Sequence, residues 1–313
     1  MCAMNTRFAW MNGTMMASTD ATVPLLTAGF HYGIGVFEGI RAYKTARGPA
    51  VFRLREHMQR FEASARILGF RGLPYTVDQM VQAVADTVAA NAFDDCYIRP
   101  IAWLADGGWN LTTDTGKAHV AVAVWEQAIY LDPQKAAQGI RSCISSFVRH
   151  HPNAMMTKAK TNGNYVNSYM AKTDANRNGF DDALLLDHNG YVTEATGANV
   201  FVLRGNTIIT PEPDAILEGI TRSTVFALAQ DLGLSVREGR LTRDHLYIAD
   251  EVFICGTAAE IVGIREIDSR PIGSGQTGPV TLKLIEAYQQ AVRGTHARSG
   301  GWLHHVASAA AVV

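Results

Sequence analysis

The sequence predicts an α/β chain with mixed sheets, arranged as two domains. Three observations carry that expectation. Strand-like apolar runs alternate with helix-period runs along the chain, the pattern of helices packed on sheets. The chain has 313 residues, 47% hydrophobic and 18% charged, enough for substantial cores and sized for two ordinary domains. The pattern breaks in Pro and polar residues near Asp132-Pro133, and a new alternation starts at Gly139. Residues 1–133 are therefore expected to form a smaller N-terminal domain and residues 134–313 a larger C-terminal one.

Phe8 to Met16 reads as strand, turn, strand, because Asn12-Gly13 tolerates positive φ at both positions. A second strand-rich stretch is expected from Phe30 to Tyr43, with Gly33, Gly35 and Gly39 allowing close backbone approach or a bulge. Gly33-Ile34-Gly35 is no dinucleotide fingerprint, since Glu38 stands where a third glycine belongs. Val51 to Arg53 is a short strand. Arg55 to Gly69 is a helix with Met58, Phe61, Ala65 and Leu68 on its apolar face and Gly69 as stop; Arg60 lies beside that face, near His57 and Ser64. Thr76-Val77-Asp78-Gln79 has the form of a capping box opening a helix to about Ala90. Cys96 to Leu104 and His119 to Trp125 read as buried strands, with a flexible Gly107-Gly108 loop between them.

In the second half, strands are expected at Ile140–Ser146, Ala183–Leu186, Val200–Leu203, Thr207–Ile209 and Glu251–Cys255. A helix runs from Thr221 to Leu232 and stops at Gly233. The last long helix starts at Pro279 and stops at Gly294, the Pro-first, Gly-last asymmetry. The tail from Val306 to Val313 is small and apolar.

Bulk properties exclude several classes. The net charge is −1, with no basic footprint for nucleic acid. No apolar run reaches the roughly 18 residues of a membrane span. Met1 to Arg7 has no basic start followed by an apolar core, so no signal peptide is expected. Cys2, Cys96, Cys143 and Cys255 are scattered without a CxxC, which suits reduced thiols in a cytoplasm. The sequons at Asn12 and Asn110 mean nothing without secretion. His150-His151 and His304-His305 do not suggest a metal, because adjacent residues seldom face one ion and no further ligand completes a set.

The chemistry concentrates between Thr157 and Asn199. Lys158 and Lys160 precede a Gly163-Asn164-Tyr165 turn. A lysine drawn out of bulk water can lose its proton and act as a nucleophile. On an extended segment both lysines share one face, so geometry alone leaves the choice between them open. Glu194 sits in a Thr/Glu/Ala/Gly/Asn turn between two strand-like runs, where a scaffold can aim a side chain. Ordinary solvated Lys and Glu are the alternative. Glu218-Gly219-Ile220-Thr221-Arg222 is a glycine turn entering a helix, whose N–H groups and dipole suit an anion. Gly256-Thr257-Ala258 follows a strand and offers a second turn with a hydroxyl. Tyr97 and Arg99 alternate on one face of a strand, where Arg99 serves either a structural ion pair or a carboxylate ligand.

The runs Lys160-Thr-Asn-Gly-Asn-Tyr165, Thr193-Glu-Ala-Thr-Gly-Ala-Asn199, Leu217-Glu-Gly-Ile-Thr-Arg222 and Gly256-Thr-Ala-Ala-Glu260 resemble, in order and spacing, the signature of class IV aminotransferases. Within that class the chain looks most like a branched-chain amino acid aminotransferase, from about Trp10 to Trp302. The resemblance implies a two-domain fold-type IV enzyme using pyridoxal 5′-phosphate, with the active site between the domains and a homodimer as the minimum assembly. It implies transamination between L-leucine, L-isoleucine or L-valine and 2-oxoglutarate, in two half-reactions.

By resemblance, Lys160 holds the cofactor and shuttles the proton, Glu194 faces the pyridine nitrogen and Tyr165 the phenolic oxygen. Tyr165 also fits a packed core tyrosine. Arg60, Gly219, Ile220, Thr221 and Thr257 cup the phosphate. The substrate meets Phe37, Tyr97, Arg99 and the Ala258-Ala259 backbone, with Tyr32 and Tyr130 reaching from a neighbouring subunit. Two stretches depart from the family pattern: Glu126 to Tyr130 after Trp125, where Trp-Gly-x-Tyr is usual, and Ile261-Val262-Gly263 in place of Ile-Thr-Pro. They keep an (R)-selective amine or D-amino acid transaminase and an aminodeoxychorismate lyase open on the same fold. A cofactor-binding protein without turnover is the non-enzymatic alternative.

Overall fold

The computed structural model describes residues 5–105, 116–126 and 138–307. Tyr130, the Gly107-Gly108 loop, the Asp132-Pro133 break and the end of the tail lie outside the described residues. The chain divides into two compact units. The first comprises Met1–Ala128, Ala159–Gly163 and Gln290–Val313; the second comprises Ile129–Lys158 and Asn164–Gln289.

In the first unit β1 (Phe8–Met11) and β2 (Thr14–Ala17) pair antiparallel across the Asn12-Gly13 turn. Both turn residues have positive φ, at 50° and 91°, so the turn twists with the strands. The strand expected from Phe30 begins instead as a short helix, α1 (Ala28–Tyr32), closed by left-handed Gly33. Aromatic β-formers are overruled here by packing. A Cβ on Gly29 would stand 2.8 Å from Trp103 Cβ, so the glycine lets the turn seat on the sheet. The strands β3 (Gly35–Phe37), β4 (Ile40–Thr45) and β5 (Gly48–Phe52) follow.

Next comes α2 (Leu54–Ile67), which buries Leu54, Met58, Phe61 and Ala65. Its neighbouring face carries His57, Arg60 and Ser64. The helix α3 (Val77–Asn91) opens on the expected capping box: Gln79 N–H donates to Thr76 Oγ1 at 3.3 Å, and Thr76 N–H donates to Gln79 Oε1 at 2.8 Å. The long strands β6 (Cys96–Leu104) and β7 (Ala118–Glu126) run antiparallel through the sheet. Among the described residues the sheet has eight strands. Its order is C-terminal strand Leu303–His305, β5, β4, β6, β7, β1, β2, with β3 beside β6.

Residues 159–163 belong to this unit although they lie far along the chain. Asn162 N–H donates to Gly35 O at 2.9 Å, Phe37 N–H donates to Lys160 O at 3.0 Å, and Thr161 bridges Val36. The lysine segment is thus laid along β3 as an added strand.

The second unit starts with β8 (Ile140–Ile144), followed by α4 (Tyr165–Arg177), β9 (Asp182–Leu186), β10 (Val192–Ala195), β11 (Asn199–Arg204) and β12 (Thr207–Thr210). After them come α5 (Ile220–Asp231), β13 (Ser235–Glu238), α6 (Arg243–Tyr247), β14 (Glu251–Gly256), β15 (Glu260–Ile267) and β16 (Arg270–Pro271). The helix α7 (Pro279–Arg293) begins in this unit and ends in the first. Its main sheet path is β10-β9-β8-β15-β14-β11-β12-β13, and β10 also pairs with β11, so the sheet curls back on itself. That second pairing is made at Glu194↔Asn199. Glu194 is therefore a strand residue, not the turn residue its polar neighbours suggested: inter-strand hydrogen bonding outweighs the local turn composition.

Candidate functional site

Lys160 is held by its main chain. Its N–H donates to Ser64 Oγ at 3.0 Å, and its carbonyl accepts from Phe37 N–H at 3.0 Å. The half-buried side chain places Nζ 5.0 Å from the centroid of the Phe37 ring. Lys158 is differently committed. Its Nζ pairs with Glu218 at 2.8 Å and donates to the Pro213 carbonyl, within the second unit. The two lysines, which an extended segment would place on one face, are separated by the fold.

Beneath this segment lies a buried charge cluster. Arg60 donates twice to Glu38, from Nε to Oε1 at 2.7 Å and from Nη2 to Oε2 at 2.9 Å. His57 Nδ1 meets Glu38 Oε2 at 2.7 Å, and Glu38 has no exposed surface. Burial pushes the Glu38 carboxyl up, but the charge of Arg60 and the hydrogen bonds from both neighbours outweigh it and hold the group below the usual carboxylate range. Burial pushes the His57 imidazole down by more than Glu38 draws it up, so it is neutral near pH 7. Arg60 is therefore the charged counterpart of Glu38.

Arg99 stands in an aromatic cage. Its guanidinium carbon lies 4.7 Å from the Phe37 centroid, 5.4 Å from Tyr97 and 5.6 Å from Trp125. Among the described residues no carboxylate pairs with it, and its buried Nε has no hydrogen-bond acceptor. The structural ion pair considered for Arg99 is thus not the arrangement found among those residues. Gly39 leaves room for the cage: a Cβ there would collide with the Tyr97 hydroxyl at 2.0 Å. Tyr32 is 44% exposed at the end of α1.

In the second unit Glu194 is buried and fully engaged. Arg149 Nη2 pairs with its Oε1 at 2.8 Å, while Oε2 accepts from Leu217 N–H at 3.2 Å and Asn199 Nδ2 at 3.4 Å. Asn199 Nδ2 also donates to the Leu217 carbonyl at 2.9 Å, tying the strand to the turn before α5. Gly219 is the N-cap of α5 and no side chain caps it. A Cβ on Gly219 would meet Asn199 Oδ1 at 2.1 Å, so glycine is required for this approach. Ile220 and the buried Thr221 form the first turn of α5. Thr257, Ala258 and Ala259 make the three-residue loop between β14 and β15, closed by Gly256↔Glu260 with Glu260 at φ 58°. Tyr165 is half-buried as the first residue of α4.

His150 and His151 line a cleft of about 580 Å³ with Asp187, His188, Glu212 and Arg240. Burial, helped by the charge of Arg149, pushes the His150 imidazole down to about 4. Among the described residues no three His, Cys, Asp or Glu side chains are grouped to hold a metal.

Glu38, Arg149 and Asn199 were not singled out as site residues by the sequence. Asn199 lay inside a flagged motif, and Glu38 was noted only for not being glycine. Arg149, just before the His pair, gave no local signal, because its counterpart is distant in the chain.

These side chains fit pyridoxal phosphate. A lysine with a fixed backbone suits the aldehyde, and a buried carboxylate with fixed geometry suits the pyridine nitrogen. An N-terminal helix turn without a side-chain cap suits the phosphate.

Residues 35–267 match the family Amino-transferase class IV. The branched-chain-amino-acid aminotransferase of Pseudomonas aeruginosa is 44% identical over 293 residues, covering 94% of this chain and 95% of that relative. Two crystal structures of the T.th. branched-chain amino acid aminotransferase, one complexed with N-(5′-phosphopyridoxyl)-L-glutamate and one with 4-methylvaleric acid, superpose at a TM-score of 0.91. They share 44% identity with this chain and cover 97% of it and 100% of theirs. The Escherichia coli branched-chain amino acid aminotransferase superposes at 0.94 with 38% identity, covering 96% and 100%.

Proposed function

The chain belongs to the class IV aminotransferases, and on that premise we propose that it moves an amino group between L-leucine, L-isoleucine or L-valine and 2-oxoglutarate. Its cofactor is pyridoxal 5′-phosphate, and its substrates are amino acids and 2-oxo acids. One observation carries the substrate reading. Lys160 Nζ and the Arg99 guanidinium lie over the same Phe37 ring, at 5.0 and 4.7 Å. A substrate reacting at the lysine extends its side chain along an aromatic wall. There an aliphatic group finds Phe37 and Tyr97, and a glutamate carboxylate finds Arg99. The T.th. relative, complexed with a glutamate adduct in one crystal and a branched aliphatic acid in another, supports this dual pocket.

When bound, the cofactor supplies an electron sink for the pair released at the substrate Cα. The chain supplies the rest. The Lys160 amine takes the proton from Cα and returns it on the cofactor side. Glu194, fixed by Arg149, keeps a negative charge at the pyridine nitrogen, and Tyr165 donates to the phenolic oxygen. Arg60, the first-turn N–H groups at Gly219, Ile220 and Thr221, and the Thr257 hydroxyl bind the phosphate. The main chain at Ala258 and Ala259 takes the α-carboxylate.

A homodimer completes the reading, with Tyr32 and Tyr130 supplied to the neighbouring pocket. Exposed Leu25, Leu26 and Phe30 in the first unit support it, as do Val166, Tyr169 and Met170 along α4 in the second. The free thiols Cys96, Cys143 and Cys255 suit a reducing cytoplasm.

The test is a donor panel of L-leucine, D-alanine and (R)-1-phenylethylamine, with 2-oxoglutarate as acceptor. L-Leucine is expected to be the strong donor. Activity confined to D-alanine or to the amine overturns the substrate assignment.

A further inference from the structure

We propose that Glu38 is a positioning residue that sets the orientation of the Arg60 guanidinium for the cofactor phosphate. The proposal rests on the assignment of Arg60 to that phosphate.

Glu38 follows Phe37 directly, at the end of β3, and is wholly buried. Both of its oxygens are used: Oε1 by Arg60 Nε, and Oε2 by Arg60 Nη2 and His57 Nδ1. Two parallel bonds to one edge of a planar guanidinium fix both its plane and its rotation, which a single contact cannot do. His57, one turn before Arg60 on α2, holds the carboxylate from its other side. The guanidinium edge opposite Glu38, with Nη1 and the second Nη2 hydrogen, is turned away from the carboxylate and suits a tetrahedral dianion.

A buried ion pair is weak evidence for stability, since apolar side chains of similar volume can serve as well. Nor does Glu38 help the phosphate electrostatically. Its negative charge offsets that of Arg60, and its removal by itself would strengthen the pull on an anion. Orientation is what the pair contributes. The placement is shared with the reacting amine, for Phe37 N–H holds the Lys160 carbonyl while the next residue, Glu38, holds Arg60. One dipeptide thereby sets the register between the amine and the phosphate anchor.

The opposing effects of charge and orientation make the sign of the outcome decisive. The apo form of the full chain is titrated with pyridoxal phosphate and with pyridoxal, which lacks the phosphate, in wild type, Glu38→Gln and Arg60→Gln. The ratio of the two dissociation constants isolates the phosphate contribution. The ratio is expected to fall by about tenfold or more in Glu38→Gln, the scale of a lost charge-assisted hydrogen bond. Pyridoxal affinity should hold within about threefold. An unchanged or increased ratio in Glu38→Gln, with a reduced ratio in Arg60→Gln, overturns the positioning role and leaves the Arg60 assignment standing. An unchanged ratio in Arg60→Gln overturns that assignment and the proposal with it. If Glu38→Gln gives no folded protein, Glu38→Asp is titrated in its place. It keeps the charge but shortens the reach, and the ratio must again fall; an unchanged ratio overturns the proposal.

Discussion

Arg149 and Glu194 form an ion pair of 2.8 Å in which neither side chain is more than 8% exposed. Removing one member leaves the other buried without a counter-charge, which costs about 3–5 kcal/mol. We expect Arg149→Met to lower the unfolding free energy by that amount in urea titration. Adding Glu194→Gln to it should recover part of the loss, and a double-mutant cycle measures the coupling. Strict additivity of the two changes would contradict a direct pair.

Lys160→Ala should lower the rate of amino transfer from L-leucine by at least about 10³-fold, the scale for loss of a catalytic acid–base group that is also the nucleophile. Lys158→Ala should stay within a few-fold of wild type, because a half-exposed pair such as Lys158–Glu218 is worth about 1 kcal/mol or less. Steady-state assays of both variants decide between the two lysines.

Ser64→Ala removes the acceptor of the Lys160 N–H, which otherwise bonds at 3.0 Å in a buried setting. A stability loss of about 1–3 kcal/mol is expected by thermal or chemical unfolding. The value of kcat should fall with little change in KM, since the group that moves carries the reacting amine and not the substrate pocket.

Arg99→Met keeps the bulk of the caged side chain and deletes its charge. The KM for glutamate and 2-oxoglutarate should rise about 10- to 100-fold, the loss of roughly 1.5–3 kcal/mol from a charged hydrogen bond. The KM for leucine should stay within about threefold. Equal losses for both substrate types would argue against Arg99 as the side-chain carboxylate site.

Acid should weaken the fold in two stages. His57 and His150 bind a proton less readily in the native state than their ordinary 6.5, so the unfolded chain holds the extra protons. Their contribution is full above about pH 6.5 and is lost as the pH falls toward 4. Glu38 is held ionised below its ordinary 4.5, so its contribution is full above that value and is lost as the pH falls further. Urea midpoints measured from pH 8 to 3 should show both stages, and His150→Asn should flatten the first.

The features legible in the sequence are those governed by neighbours along the chain. The Asn12-Gly13 turn, the Thr76–Gln79 capping box and the Pro279-to-Gly294 helix each depend on a few adjacent residues. What escaped reading depends on distant contacts. The helix Ala28–Tyr32 exists because Gly29 seats against Trp103, and Glu194 becomes a strand residue by pairing with Asn199. Of the candidate site, the motif residues were readable in order. Their supports were not: Glu38 meets Arg60 from another element, and Arg149 reaches Glu194 across α4 and β9 in the sequence. The docking of residues 159–163 on β3 left no trace in local composition either.

That the strand Leu303–His305 pairs with β5, near the start of the chain, bears on how the protein is made. While the ribosome is still at work, β5 has been synthesised but its outer neighbour has not, and the backbone groups along that border wait for the final codons. The lysine-bearing segment likewise emerges long after β3, the strand that receives it. The N-terminal half thus leaves the ribosome as an unfinished sheet, and its completion coincides with release of the nascent chain.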